Sequence, residues 1–83
     1  MENNIKQDSI EILDKLLVSK DARVRAELAK QGYKLDVLVN DTSNIVRREV
    51  AKQGYGLDVL VKDESYDVRE EVARKGYGLE LLV

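Results

Sequence analysis

The chain has 83 residues, with no cysteine and no histidine, and its 14 basic residues nearly balance 16 acidic ones to a net charge of −2. This composition excludes disulfides, thiolate metal sites and the commonest general base and zinc ligand, and it argues against the basic surface that non-specific nucleic-acid binding needs. The N-terminus lacks the pattern of a signal peptide, and no apolar stretch approaches membrane-spanning length, so we expect a cytoplasmic protein.

Residues 1–17 predict a helix that caps the rest of the chain. Asp8 and Glu11 have the spacing of a capping box, which places the helix start at Asp8 and leaves residues 1–7 frayed. The apolar stripe predicted for this helix consists of Ile10, Leu13, Leu16 and Leu17. We expect this stripe to cover the apolar side of the segment that follows.

The rest of the chain consists of three copies of a 22-residue unit, at 18–39, 40–61 and 62–83. Neighbouring copies are identical at 13 of 22 positions without a gap, which chance does not give, so the chain contains an internal repeat. The period is marked by three glycines, each followed by tyrosine: Gly32, Gly54 and Gly76. A unit this short cannot bury its apolar side alone, and we expect the copies to stack.

The first part of each unit predicts a helix. Its N-cap has a side-chain oxygen that can accept a bond from a first-turn N–H, and the three caps are Asp21, Ser43 and Ser65. In the second unit, Val46, Val50 and Ala51 then form one buried stripe at helical spacing. The helix ends at the marker glycine, which adopts a left-handed backbone at little cost. The glutamates between these positions are expected to form a solvated face.

The second part of each unit, at 35–39, 57–61 and 79–83, predicts one or two turns of α- or 3₁₀-helix. Such a piece is too short to be stable on its own, so it must lie against its neighbours. A strand is the alternative at 59–61 because short apolar runs are ambiguous, but the fixed spacing from the preceding glycine favours a helix. Gly56 and Gly78 are expected to reverse the chain before this part, whereas the first unit has Lys34 there, which leaves open a different turn.

The run 63–73 resembles the leucine-rich repeat variant family and, more distantly, HEAT-like repeats. Both families show an acidic residue, here Asp63, then a Val-Arg pair, here Val68 and Arg69, and then an apolar helix face. The run 41–47 matches in the same way, whereas the first unit has serine in place of the acidic residue. The resemblance covers roughly residues 18–83.

The sequence pattern predicts an all-α fold of 22-residue helix–turn–short-helix repeats with an N-terminal capping helix, and the resemblance implies that these repeats form a short right-handed α-solenoid. It also implies the binding roles that are common in the HEAT class. Some relatives in the variant family carry an N-terminal iron–sulfur cluster, which cannot apply here because the chain has no cysteine. The Gly-Tyr-Gly turn and the 22-residue period differ from the usual proline-containing and slightly longer unit.

The arginine row consists of Arg25, Arg47 and Arg69. We predict that it is structural, with Asp41 pairing with Arg47 and Asp63 with Arg69 to tie neighbouring units, because the guanidinium fork suits a carboxylate. The alternative is a basic ladder that binds phosphates or acidic peptides. The glycines at 32, 54 and 76 are also predicted to be structural.

The tyrosine row consists of Tyr33, Tyr55 and Tyr77. These rings could stack on nucleic-acid bases. The favoured interpretation is that each ring packs over the junction between helices with its hydroxyl at the water boundary. The same residues are candidates for contact with a partner protein.

An acidic row lies beside an aliphatic row in the second part of the units. The acids are Asp36, Asp58 and Glu80, and the aliphatic neighbours are Val37, Val59 and Leu81. In HEAT-like solenoids this part usually lines the concave side, so the two rows are a candidate site for a basic, amphipathic segment of a partner. The alternative is that the acids only complement the helix dipole and that the valines belong to the core.

These observations predict a non-catalytic protein-interaction module that acts as an adaptor or a steric inhibitor. No serine has a base nearby, and no carboxylates have the unequal environments of an acid and a base, so we expect no enzyme activity, cofactor or metal. One alternative is an architectural fragment of a longer array or a homodimer through the C-terminal end at Leu82 and Val83. Nucleic-acid binding is less favoured.

Overall fold

The computed structural model describes residues 2–78, with side chains from residue 9 onward, and its secondary structure in this part is entirely helical. The elements are α1 (Glu2–Leu17), α2 (Ala22–Lys30), α3 (Leu35–Leu38), α4 (Asn44–Lys52), α5 (Leu57–Leu60) and α6 (Tyr66–Arg74). The predicted all-α class is confirmed, and the strand alternative at 59–61 is wrong. The segment predicted at 79–83 lies outside the described residues. Within 2–78, each helix is too short or too polar to cross a bilayer.

The three nine-residue helices begin and end where the sequence predicts. The Asp21 carboxylate accepts a bond from the Arg23 N–H at 2.9 Å, and the Ser43 hydroxyl accepts one from the Ile45 N–H at 3.3 Å. Ser65 is the N-cap of α6, but its side chain makes no such bond. Each helix is followed by a glycine with φ between 76° and 82°, in the left-handed region. In the first unit, the Gly32 N–H then bonds back to the Ala29 carbonyl at 2.9 Å, closing the helix end.

The one-turn helices α3 and α5 each follow a residue in the left-handed conformation. This residue is Gly56 before α5 and Lys34 before α3, with φ of 66° and 51°. The turn in the first unit is therefore of the same kind, at a cost of about 1–2 kcal/mol for a side chain in this conformation. A Cβ on Gly56 would lie only 2.7 Å from Cγ2 of Val39. The turn before α5 therefore rests on the chain just after α3.

The longer helices pack in chain order, α1 on α2, α2 on α4 and α4 on α6. The one-turn helix α3 packs against α2 and α4, and α5 packs against α4 and α6. Between them lie Val46, Val50 and Ala51, all fully buried, together with Leu38 and Leu60. The predicted stripe of the second unit is confirmed. Burial of each large side chain contributes about 1.5–3 kcal/mol, and it requires contact between neighbouring units.

Helix α1 differs from the prediction. It begins at Glu2 and continues through Asp8, so the predicted capping box and the frayed segment up to residue 7 are wrong. No glycine or proline interrupts this stretch, and a capping pattern is only one local option when a longer helix can form. Leu13 and Leu17 pack against the core, whereas Leu16, about 100° from Leu17 around the helix, is exposed. Ile10 is also exposed.

Candidate interaction surface

Two buried ion pairs join neighbouring units. Arg25 Nε lies 2.8 Å from Asp41 Oδ2, and its Nη2 lies 3.1 Å from Oδ1. Arg47 binds Asp63 in the same two-point manner, at 2.8 and 3.2 Å. The third donor of Arg47, Nη1, bonds to the main-chain carbonyl of Asp41 at 2.7 Å. Each arginine therefore binds the side chain of the following unit and the main chain of its own unit.

The predicted side-chain pairs, Asp41 with Arg47 and Asp63 with Arg69, are wrong by one unit. The Asp41 carboxylate accepts a hydrogen bond from the Ser43 N–H at 2.8 Å, and this bond orients the carboxylate toward Arg25. The main-chain carbonyl of Asp41 accepts the hydrogen bond from Arg47. Asp63 repeats this arrangement with the Ser65 N–H at 2.9 Å. The aspartates and arginines do link neighbouring units, but each carboxylate binds the arginine of the preceding unit.

The charge balance of these pairs keeps the carboxylates ionised. Burial on its own raises the pKa of Asp41, but the hydrogen bonds from Arg25 and Ser43 and the charges of Arg25 and Arg47 outweigh it, so the pKa is lowered. The pKa of Asp63 is lowered by the same balance, with Arg47 and Ser65 as the donors. The donors of Arg25 and Arg47 are occupied, and these side chains are largely buried, so they offer no ladder for phosphates.

Two glutamates that the sequence places on a solvated face are buried. Glu49 lies 3.3 Å from the ammonium of Lys52, and Glu71 lies 3.1 Å from Nη1 of Arg74 and 3.5 Å from Nε of Arg48. Their burial follows from their place beside the core valines on helices that face a neighbouring unit. The only signal in the sequence is that each directly precedes a stripe valine.

One tyrosine of the row binds an aspartate of α1 that lies in register with the acidic row. The Tyr33 hydroxyl donates a hydrogen bond to Asp14 of α1, 19 residues earlier, and this bond raises the pKa of Tyr33. Asp36 likewise precedes Tyr55 by 19 residues in the sequence, but these two side chains make no such hydrogen bond. The acidic row therefore extends back to Asp14, which the sequence analysis missed. Its signal is that Asp14 lies 22 residues before Asp36.

The three tyrosine rings differ in how deeply they are buried. Tyr33 is partly buried against the core, and the ammonium of Lys34 lies 5.9 Å from the centre of its ring. This agrees with the predicted packing of a ring with its hydroxyl at the water boundary. Tyr55 and Tyr77 are exposed to about 40% and 41% of their area, so these two rings remain available to a partner.

The aliphatic row is not part of the core. Val37 and Val59 are 54% and 57% exposed, although the adjacent Leu38 and Leu60 are buried. The alternative interpretation of these valines as core residues is therefore wrong. Glu80 and Leu81, as well as Leu82 and Val83, lie outside the described residues.

The exposed residues of α3, of α5 and of the turn before α5 are the candidate interaction surface, and this turn approaches Val39 just after α3. We call it the α3–α5 surface, and it consists of Asp36, Val37, Tyr55, Asp58 and Val59. All five side chains are exposed. It offers a partner two aliphatic side chains, two carboxylates and one aromatic ring.

The described residues enclose no pocket, and they bring together no group of three acidic side chains suited to a metal ion. Comparison of the chain with protein-family models, with curated proteins and with solved structures finds no match. A function must therefore be argued from the chemistry of the exposed surfaces.

Proposed function

We propose that this chain is a non-catalytic, cytoplasmic protein-interaction module, an adaptor or a steric inhibitor, built as a short right-handed α-solenoid with a capping helix. The recurrence of the same contacts supports the stacking: α2 on α4 and α4 on α6, and Arg25 with Asp41 and Arg47 with Asp63. The handedness rests on the resemblance to the leucine-rich repeat variant family. Stacked helical units offer an extended surface to a partner.

The observation that carries the proposal is the exposure of Val37 and Val59 on consecutive units. Each valine follows an exposed aspartate, Asp36 or Asp58, in the chain. A partner that covers the valines gains apolar burial, and basic side chains at the rim of the contact complement the aspartates. The partner best suited to this surface is an amphipathic segment that carries lysine or arginine beside its apolar face.

The test is affinity capture from the source cell with paired variants. Val37→Asn with Val59→Asn removes the aliphatic contacts, and Ile45→Asn is the matched control, because Ile45 is a 50% exposed aliphatic side chain on α4. We expect the double variant to lose a partner that the wild type and the control retain. Circular dichroism and thermal melting must show that all variants are folded.

A charge-matched pair tests the acidic row. Asp36→Lys with Asp58→Lys changes the net charge by the same amount as Glu64→Lys with Asp67→Lys, and all four acids are exposed. We expect only the first pair to release the partner, and we expect added salt to weaken the wild-type complex. If both pairs behave like the wild type, the α3–α5 surface is not the site.

A further inference from the structure

Helix α6 exposes a face that is covered in α2 and α4. Ala29 and Ala51 are completely buried, whereas Ala73, the equivalent residue of α6, is exposed. Arg69 is also exposed, although Arg47 is buried at the same position of the preceding unit. The opposite side of α6 packs normally, because Val68 and Val72 are buried. The difference is therefore confined to the side that meets the following unit in α2 and α4.

The guanidinium of Arg69 is held in the same way as those of its counterparts. Its Nη1 donates to the Asp63 carbonyl at 2.6 Å, as Arg47 Nη1 donates to the Asp41 carbonyl. In Arg25 and Arg47, the remaining edge of Nε and Nη2 binds an aspartate 16 residues later. Among residues 2–78, no carboxylate lies on that edge of Arg69. The edge is thus a positioned two-point donor for a carboxylate.

We propose that this face of α6 binds a partner polypeptide through an aspartate placed two residues before the N-cap of a helix. The carboxylate binds Nε and Nη2 of Arg69, and the apolar side of the partner's helix covers Ala73. This chemistry is the one found at the inner positions. There, Asp41 and Asp63 also accept the N–H of Ser43 and Ser65, which fixes the carboxylate before it meets the arginine.

A second copy of this chain is not the partner. In a second copy, Asp41 and Asp63 are already bound to Arg25 and Arg47, so presenting either one requires breaking a buried ion pair. The equivalent position of the first unit is Ser19, which has no carboxylate. This site is separate from the α3–α5 surface and does not depend on the proposed function.

The probe is a peptide that copies residues 62–78, with Tyr66→Lys joined to Glu70 by a lactam to hold the helix. Tyr66 is 67% exposed, and Glu70 lies one turn later, so the bridge leaves Asp63, Val68 and Val72 free for contact. The matched control is the same peptide with Asp63→Asn. Binding to the full chain is followed by nuclear magnetic resonance of the arginine Nε–H groups. We expect the Arg69 signal to shift and those of Arg25 and Arg47 to stay, with binding at least about tenfold weaker for the control peptide.

A pair of chain variants completes the test. Arg69→Gln is expected to weaken peptide binding at least about tenfold. Arg23→Gln should leave it unchanged, because the Arg23 side chain is exposed and pairs with Asp21 of its own turn. Both peptides are shown to be helical by circular dichroism first. The proposal is overturned if the helical peptide does not bind at millimolar concentration, or if the Asp63→Asn control peptide or the Arg69→Gln chain binds as well as the original. Shifts confined to the Nε–H signals of Arg25 and Arg47 overturn it as well.

Discussion

Helices α4 and α6 have the same length and similar sequences but different surroundings. Helix α4 is covered by α2 on one side and α6 on the other, and Arg47 is bonded through Nε, Nη1 and Nη2. Among residues 2–78, helix α6 is covered on one side, and Arg69 keeps only its main-chain bond. The contribution of a residue to the stability of this chain therefore depends more on the neighbouring unit than on its own helix.

The largest expected difference is between Arg47→Ala and Arg69→Ala. Removal of Arg47 leaves the buried Asp63 carboxylate without its partner, which costs about 3–5 kcal/mol. Removal of the exposed Arg69 costs less than about 1 kcal/mol. Urea denaturation of both variants measures the free energies of unfolding. Equal losses would contradict the comparison.

The turn glycines give a smaller difference. Gly56→Ala places a side chain at φ 66° and brings its Cβ to 2.7 Å from Val39, so strain and overpacking together cost about 2–4 kcal/mol. For Gly78→Ala the nearest atom, Cγ2 of Val61, lies at 3.2 Å, and we expect a smaller loss. Gly54→Ala is the control, since it has a positive φ but no atom within 4 Å. Thermal melting should rank Gly56→Ala as the most destabilising of the three, and a different order would count against the close approach of α3 and α5.

Ala51 of α4 and Ala73 of α6 occupy equivalent positions, but Ala51 is buried and Ala73 is exposed. Ala51→Leu adds volume to a fully covered position and is expected to cost about 1–3 kcal/mol. Ala73→Leu adds the same volume to an exposed position, where the expected change is within about 0.5 kcal/mol. Denaturation is measured at low protein concentration so that association does not mask the result. A comparable loss for Ala73→Leu would show that α6 is covered in solution.

The smallest expected effect is on the pH dependence of stability. Because the pKa of Asp63 is lower in the folded state, its ion pair stabilises the fold fully above the unfolded value of about 4 and is lost as the pH falls through the folded value. The melting temperature of the wild type should therefore fall below about pH 4, and less steeply for Asp63→Asn. Arg69→Ala should leave the slope nearly unchanged. Parallel profiles for wild type and Asp63→Asn would show that this pair does not contribute.

The parts of the fold that depend on local chemistry could be predicted from the sequence. An N-cap such as Ser43 and a helix-ending glycine such as Gly54 act within one turn, so the bounds of α4 follow from a few neighbouring residues. Asp8 shows the limit of such signals, because a cap competes with the longer helix that the surrounding residues also allow.

The parts that depend on contacts between units could not be predicted in the same way. Leu38 and Val37 are adjacent aliphatic residues, and the positions of α2 and α4 against α3 decide that one is buried and the other exposed. Which arginine binds Asp41 also depends on the folded structure. Its carboxylate points toward Arg25 of the preceding unit, and its main-chain carbonyl accepts from Arg47 of its own unit. Periodicity shows which residues are equivalent but not which neighbour each one meets.

The nearest-neighbour packing of the helices has a consequence for how the chain folds. The buried ion pairs each close a loop of only 16 residues, and α2 packs on α4 and α4 packs on α6, in each case the next nine-residue helix along the chain. The entropy lost on closing such short loops is small, and chains with local contacts reach their native state quickly. Folding should therefore start at any adjacent pair of helices and spread by docking one helix at a time, without waiting for the two ends of the chain to meet.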